Sequence, residues 1–87
     1  MEWPQLYNAV KALMSQKGEN CAYIISLYGG DVLFGKIQKV GQHKDLGNVV
    51  LIYTPEKLIE TIYPKDIKKI CAISQEELQE IQGMRGI

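Results

Sequence analysis

The spacing of apolar residues changes at Cys21, and this change limits the folds that the chain can adopt. Before Cys21 the apolar residues follow a helical period, whereas after it they fall in short runs rich in Val, Ile and Tyr. Turn-forming residues such as Gly, Pro, Asn and Asp separate these runs. The runs predict five strands, at about residues 21–28, 31–40, 48–54, 57–63 and 67–73. We therefore expect one helix followed by a β-rich unit.

The segment before Cys21 predicts an amphipathic helix from about residue 4 to 17. Pro4 suits the first helical turn, where a missing N–H costs nothing, and Lys17 followed by Gly18 suits the helix end. We expect its apolar face to pack on the sheet, although such a face could also dock on a partner. The face consists of six residues at helical spacing: Trp3, Leu6, Tyr7, Val10, Leu13 and Met14.

Short polar segments predict the connections between the strands. Residues 29–31, Gly-Gly-Asp, predict a tight hairpin between the first two strands, because glycine reaches the positive φ angles that such turns need. Residues 54–56, Thr-Pro-Glu, predict the turn between the third and fourth strands, since proline presets φ. The polar segment at 42–47 is predicted to be the longest loop.

The end of the chain carries a helix-capping pattern. Ser74 and Glu77 have the spacing of a capping box, in which each side chain bonds the backbone N–H of the other residue. This pattern predicts a short helix at about 75–82. We expect the following residues, 83–86, to form a frayed tail.

The length of the chain restricts the architecture to one small domain. The 87 residues are too few for two domains, so we treat residues 1–87 as one unit. A helix and five short consecutive strands favour a mostly β fold, a strongly bent five-stranded antiparallel small barrel at about residues 21–73, with the C-terminal helix and tail at about 74–87. Gly35 supports the bend, because it lies mid-strand where a sharply bent strand needs a missing side chain. The alternative is an open meander with a helix on one face.

The charge balance excludes proteins that bind nucleic acid or membranes by bulk charge. Ten Lys and Arg residues match ten Asp and Glu residues, so the formal net charge is zero. The longest apolar run, from Val49 to Tyr53, is too short to span a bilayer, and the first twenty residues lack the pattern of a signal peptide. We therefore expect a cytoplasmic protein that does not bind membranes.

Two segments of the β-rich unit resemble the signatures of a known family. The second segment, residues 62–70, has the apolar residues Ile62, Ile67 and Ile70 at the spacing of that family. The first segment combines glycines, apolar residues and an asparagine at fixed spacing: Gly30, Leu33, Gly35, Ile37 and Val40, then Asn48, Val49, Val50 and Leu51. Together the segments resemble the two signatures of the Sm and LSm proteins. Tyr63 lies where the bacterial member Hfq carries a tyrosine.

The chain departs from the family pattern at several positions. Gly41 stands where the family generally has an aspartate, and Pro64 stands at the glycine of the second signature or at the lysine of Hfq. The arginine of the eukaryotic second signature is missing. These differences concern the positions from which an RNA site would be inferred.

The resemblance implies an Sm-like fold that assembles into a closed homo-oligomeric ring. In this arrangement the fourth and fifth strands of neighbouring subunits pair edge to edge, and loops line a central pore that binds single-stranded RNA. Single-stranded recognition requires a group that bonds base edges, a platform for stacking and cations near phosphates. The residues implied for these tasks are Asn48 for the base edge, Tyr63 or His43 for stacking, and Lys44 with Lys65 for phosphates.

Each of these residues also has a structural interpretation. Asn48 follows a glycine and could hold a turn by bonding its own backbone. Tyr63 could be a half-buried strand residue, and His43 an exposed side chain in a polar loop. Lys65 and Lys69 are expected to share one solvated face of the last strand.

The sequence offers no set of residues for catalysis, for a metal or for a cofactor. Cys21 and Cys71 lie in apolar stretches, which favours two buried thiols over a disulfide or a reactive thiol. The chain has one histidine and no phosphate-binding loop. The function that we predict is a non-enzymatic role in RNA metabolism, as an Sm-like ring that binds single-stranded RNA. The alternative is a structural protein–protein interaction module with an Sm-like fold and no RNA binding, which the zero net charge and the altered second signature favour.

Overall fold

The computed structural model describes residues 1–85 and is mostly β. All strand pairs are antiparallel, in one five-stranded sheet with the order β4-β3-β2-β1-β5. The elements along the chain are α1 (Trp3–Lys17), β1 (Ala22–Leu27), β2 (Val32–His43), β3 (Gly47–Tyr53), β4 (Ile59–Ile62), a 3₁₀ turn (Pro64–Asp66), β5 (Ile67–Ile73) and α2 (Gln75–Arg85). The predicted helices and strands are therefore all present, with small shifts of their ends.

Helix α1 packs most of its predicted face against the sheet, but Tyr7 of that face is exposed. Leu6 and Val10 are fully buried, and Trp3 packs against the same core. Pro4 lies in the first turn, and Gly18 ends the helix with φ at 94°, where its N–H bonds the carbonyl oxygen of Met14. The predicted helix ends are thus confirmed.

Strand β2 is long and bends between its two partners. Its first part pairs with β1, up to Gly35, and its second part pairs with β3 from Lys36 onward. The pairing with β3 shifts register between Ile37 and Lys39, which is where a bulge strengthens the bend. Gly35 is buried at the point where the pairing of β2 passes from β1 to β3.

The sheet does not close, so the prediction of a barrel is wrong in that respect. In the described part of the chain, β4 and β5 form the two edges and each pairs on one side only. One reason is the shortness of β4, because residues 54–58 are used in a turn and the strand begins only at Ile59. The open-meander alternative is confirmed in part: the sheet is open and β1 to β4 follow one another in sequence order, but β5 departs from a meander because it pairs with β1.

The turn before β4 has a geometry that the sequence pattern does not indicate. Thr54 is buried, and its backbone N–H bonds the carbonyl oxygen of Leu58 at 2.9 Å. Lys57 has φ at 65°, a conformation that favours glycine. The predicted positive φ at the β1–β2 hairpin is confirmed, since Gly30 has φ at 95°.

The core lies between the bent sheet and α1. Tyr23 is 2% exposed, and its hydroxyl makes no hydrogen bond within the described residues. Burial raises the pKa of Tyr23, and the neighbouring Cys21 thiol adds to this effect, so the phenol stays neutral. Both cysteines are free thiols; Cys21 is buried as predicted, whereas Cys71 is only partly buried. The buried cluster contains Leu6, Val10, Cys21, Tyr23, Ile25, Val50, Ile52, Ile62 and Ile67.

Helix α2 begins with the predicted capping box. The Ser74 N–H bonds Oε1 of Glu77 at 3.2 Å, and the Glu77 N–H bonds Oγ of Ser74 at 3.1 Å. The helix continues to Arg85, so the prediction of a frayed tail is wrong for residues 83–85, and Gly86 lies outside the described residues. Gly83 weakens a helix by about 1 kcal/mol relative to alanine without ending this one.

Polar contacts attach α2 to the rest of the protein. Lys17 Nζ forms an ion pair with Oε1 of Glu77 at 2.9 Å, and Lys36 Nζ lies 3.2 Å from Oε1 of Gln75. The bond from Lys17, followed by the bonds from Ser74, lowers the pKa of Glu77. The Lys17–Glu77 ion pair is therefore present at neutral pH and is lost as the pH falls through that lowered pKa.

We expect Ser74→Ala to loosen α2 and to leave the sheet intact. Loss of an N-cap side chain costs about 1 kcal/mol, and α2 contributes little to the core, so the helix can open locally. Amide hydrogen exchange should become about fivefold faster in α2 and stay unchanged in β3. Ser15→Ala, at an exposed position within α1, is the matched control. Unchanged exchange in α2 of the Ser74 variant would show that the capping box does not hold the helix.

Candidate functional site

A surface depression of about 710 Å³ brings together three segments that are distant in sequence. The segments are the start of α1, the start of β3 and the connection between β4 and β5. The lining residues are Met1, Glu2, Trp3, Gln5, Asn48, Tyr63, Pro64 and Lys65. Three of the five residues predicted to bind RNA, Asn48, Tyr63 and Lys65, therefore line one cavity.

Asn48 is an exposed residue of β3 at the edge of the depression. It is paired with Gln42 in the β2–β3 ladder, so its backbone belongs to the sheet. The neighbouring Gly47, with φ at 79°, takes the unusual backbone conformation of this hairpin. The turn role that the sequence allows for Asn48 thus belongs to its neighbours, and the Asn48 amide faces solvent.

Tyr63 and Lys65 are held by the connection from β4 to β5. Tyr63 directly precedes the 3₁₀ turn, and its carbonyl oxygen accepts a bond from the Asp66 N–H at 3.0 Å. Its side chain is 36% exposed, which leaves part of the ring accessible. Lys65 is exposed and is the middle residue of this turn, between Pro64 and Asp66.

The prediction that Lys65 and Lys69 share a strand face is wrong. Lys65 lies in the 3₁₀ turn, and β5 begins only at Ile67. Lys68 and Lys69 are both exposed although they are consecutive, because the β1–β5 pairing shifts register opposite them, between Ser26 and Leu27. Lys65 therefore lies outside the strand that carries Lys68 and Lys69.

His43 and Lys44 lie apart from the depression, at the tip of the β2–β3 hairpin. The Nδ1 atom of His43 accepts the N–H groups of Asp45 at 3.0 Å and Leu46 at 3.3 Å. This ring therefore stabilises the turn and is only partly exposed, in contrast to the solvated side chain that the sequence suggests. The prediction that this is the longest loop is wrong: β2 extends to His43 and β3 begins at Gly47, whereas the connection between β3 and β4 at 54–58 is longer.

The residues that sequence reasoning missed come from the N-terminal segment. Trp3 is the first member of the apolar helix stripe, and such a residue is ordinarily assigned to the core. Glu2 and Gln5 carry no motif at all. One sequence feature could have indicated Trp3: it is the first residue of the helix. At the N-terminal end of a helix, a side chain can cover the core and still reach the surface.

Other site types find little support in the described part of the chain. Among these residues, no group of three or more His, Cys, Asp or Glu side chains is arranged to hold a metal ion. No helix among them is long and apolar enough to cross a membrane. Comparison with family models, with curated proteins and with solved structures finds no match to this chain. The resemblance to Sm and LSm proteins stays a prediction from the two sequence segments.

Proposed function

We propose that this chain forms an Sm-like ring that binds single-stranded RNA and acts without catalysis in RNA metabolism. One observation carries the proposal: three side chains predicted from two separate sequence segments line one depression. They are the amide of Asn48, the ring of Tyr63 and the ammonium group of Lys65. Their common location is what a binding site for a single nucleotide requires.

The chemistry of the three groups is complementary. An amide both donates and accepts, so Asn48 can bond a base edge. The partly exposed Tyr63 ring offers a surface on which any base can stack, and Lys65 offers a charge for a phosphate. With zero net charge on the chain, few phosphate contacts are available, so we expect affinity to depend only weakly on salt.

The two sheet edges support the assembly part of the proposal. β4 and β5 each present backbone groups on one side, and an exposed edge is a hazard unless it is covered. Pairing β4 of one subunit with β5 of the next covers both edges, and closure into a ring leaves none exposed. The depression is then repeated once per subunit, which strengthens binding of a continuous strand.

We expect Tyr63→Ala to weaken RNA binding by about 1–3 kcal/mol per contacted base, because a stacking platform is removed. Asn48→Ala should relax base preference more than it lowers overall affinity, because base-edge bonds carry sequence information. The measurement is fluorescence anisotropy of labelled A-rich and U-rich strands at two salt concentrations. Duplexes of the same sequences should bind poorly.

The matched control is Tyr53→Ala. Tyr53 is 37% exposed, close to the value for Tyr63, but it lies outside the depression. Its variant should bind RNA as the wild type does, after both variants are shown to keep the wild-type oligomeric state. Equal losses in the two tyrosine variants would contradict the assignment of the site.

A protein-interaction module is the second candidate. The observation that favours it is an apolar groove on another surface, where Phe34, Tyr53, Pro55 and Leu78 meet. Such a groove suits a protein partner better than a nucleic acid. This candidate takes precedence if wild-type protein at about 50 µM binds none of the strands. A Kd of that size corresponds to a binding free energy of only about 6 kcal/mol.

A further inference from the structure

One wall of the depression consists of the N-terminal segment, which the proposed function does not use. Trp3 and Glu2 lie on this wall, beside Gln5. None of these three residues belongs to either sequence signature. Their location raises the question of what a tryptophan and a carboxylate contribute to a nucleotide site.

Trp3 is held in place and is still accessible. It is half-buried, it packs against the core, and its ring centroid lies 5.8 Å from that of Tyr7 with the planes at 50°. A ring fixed in this way loses little freedom when a ligand stacks on it. Trp3 therefore provides a second aromatic surface in the same depression as Tyr63.

Glu2 presents a carboxylate that its own helix does not use. Glu2 is at the N-cap of α1, yet its side chain makes no capping hydrogen bond, and it is exposed. An ionised carboxylate accepts hydrogen bonds and donates none. It therefore favours ligands that present N–H groups and disfavours ligands that present carbonyl or ring-nitrogen lone pairs.

This chemistry separates the four bases. Guanine has two adjacent donors on its Watson–Crick edge, the ring N1–H and the exocyclic amino group, and a carboxylate can accept from both. Adenine and cytosine each place a ring-nitrogen acceptor next to their amino group, and uracil flanks its single N–H with two carbonyl oxygens. In these three bases a carboxylate is repelled by the lone pairs next to the donor group. Guanine is therefore the base that the Glu2 carboxylate binds best.

We propose that the N-terminal segment completes a base pocket that selects guanine, with Trp3 on the face of the base and the Glu2 carboxylate on its Watson–Crick edge. The proposal rests on the proposed RNA binding and specifies which base the depression takes. Asn48 then bonds an edge of the base that Glu2 does not occupy, Tyr63 offers a second surface for stacking, and Lys65 contacts a phosphate. Other positions along a strand are free to carry any base.

The first test uses intrinsic fluorescence, because Trp3 is the only tryptophan in the chain. A ten-nucleotide U-rich strand with one central guanine is titrated into the full chain, and tryptophan emission and the anisotropy of a labelled strand are followed together. Stacking on Trp3 should quench its emission in step with the anisotropy rise. Trp3 also packs on the core, so a substitution there could unfold the protein. This test avoids that problem because it leaves Trp3 unchanged.

The second test compares strands that differ only at the central base, as guanine, inosine or adenine. The strand with guanine should bind about tenfold more tightly than the strand with adenine, because two good base-edge hydrogen bonds give a discrimination of this size. Inosine, which lacks the amino group, should lie between them. Glu2→Gln should reduce the guanine preference to about twofold or less, because an amide replaces one acceptor by a donor. Glu19→Gln, at an exposed position beyond α1, is the control and should keep the full preference.

The outcomes separate this inference from the proposed function. If no strand binds wild-type protein, the proposed function fails, and the base pocket fails with it. If strands bind without quenching Trp3, or if Glu2→Gln keeps the guanine preference, RNA binding stands and the guanine pocket is overturned. Quenching together with a loss of preference in Glu2→Gln supports the inference.

Discussion

Gly35→Val is expected to lower the free energy of unfolding by at least about 2 kcal/mol. A Cβ atom at Gly35 would overlap the backbone carbonyl oxygen of Tyr53, and would lie only 2.9 Å from the carbonyl carbon. The Cγ1 atom of Ile52 would be 3.2 Å away. Because the closest atoms belong to the backbone of a paired strand, no rotamer change relieves the overlap, and β2 and β3 would have to separate.

The same strand supplies a matched control. Gly41 is also in β2, and a Cβ atom there would meet only Cε of Lys39 at 3.6 Å, an ordinary contact with a flexible side chain. Gly41→Val adds a β-branched residue to a strand, which β propensity favours. We expect its stability to stay within about 0.5 kcal/mol of wild type.

Thermal unfolding followed by circular dichroism, at one protein concentration, distinguishes the two variants. A loss of 2 kcal/mol lowers the Tm of a domain of this size by at least about 8 °C. We expect such a decrease for Gly35→Val and a change of at most about 4 °C for Gly41→Val. A Gly35→Val protein with the wild-type Tm would contradict the close approach of β2 and β3 at the bend.

Local features of this fold could be predicted because neighbouring residues determine them. Pro4 and Gly18 mark the ends of α1, the Ser74–Glu77 pair begins α2, and Gly30 makes the hairpin. Each depends on one residue type whose backbone preference or side-chain bond acts within a few positions. Such signals need no knowledge of the remaining chain.

Long-range features could not be predicted in the same way. β5 pairs with β1 across more than forty residues, so that Cys71 lies opposite Ile24, and no local pattern specifies this pairing. The short β4 results from the turn at 54–58, where the non-glycine residue Lys57 has a positive φ. The expectation of a closed barrel failed at the second of these points, because β4 and β5 do not pair with each other.

The site shows the same division between local and long-range information. Asn48, Tyr63 and Lys65 could be proposed from the resemblance of two segments, but their common location depends on the sheet order. His43 was proposed with them, and the structure assigns its Nδ1 to two backbone N–H groups of its own turn. Trp3 was missed because a residue that covers the core at the end of a helix has the same periodicity as any other core residue.

Assembly is expected to depend on β4, and Ile59→Lys should break it. Ile59 is 57% exposed and Leu58 is 58% exposed, so two apolar side chains lie beside the unpaired edge of a single subunit. Glu60 follows them on β4, and the opposite edge at β5 carries the exposed cations Lys68 and Lys69. Apolar contact and opposite charge thus both favour the pairing of β4 with β5 of a second copy.

Multi-angle light scattering at micromolar concentration should give a closed assembly of about five to eight copies for wild type. Ile59→Lys should give monomers, because a lysine would be buried at each interface, while exposed substitutions of this kind change the stability of one subunit by only about 0.5 kcal/mol. Ile81→Lys is the control: Ile81 is 40% exposed and lies on α2, outside both edge strands, and its variant should assemble. A wild-type monomer would remove the ring and the gain in affinity that repeated sites provide, and an Ile59→Lys protein of wild-type size would show that copies meet through another surface.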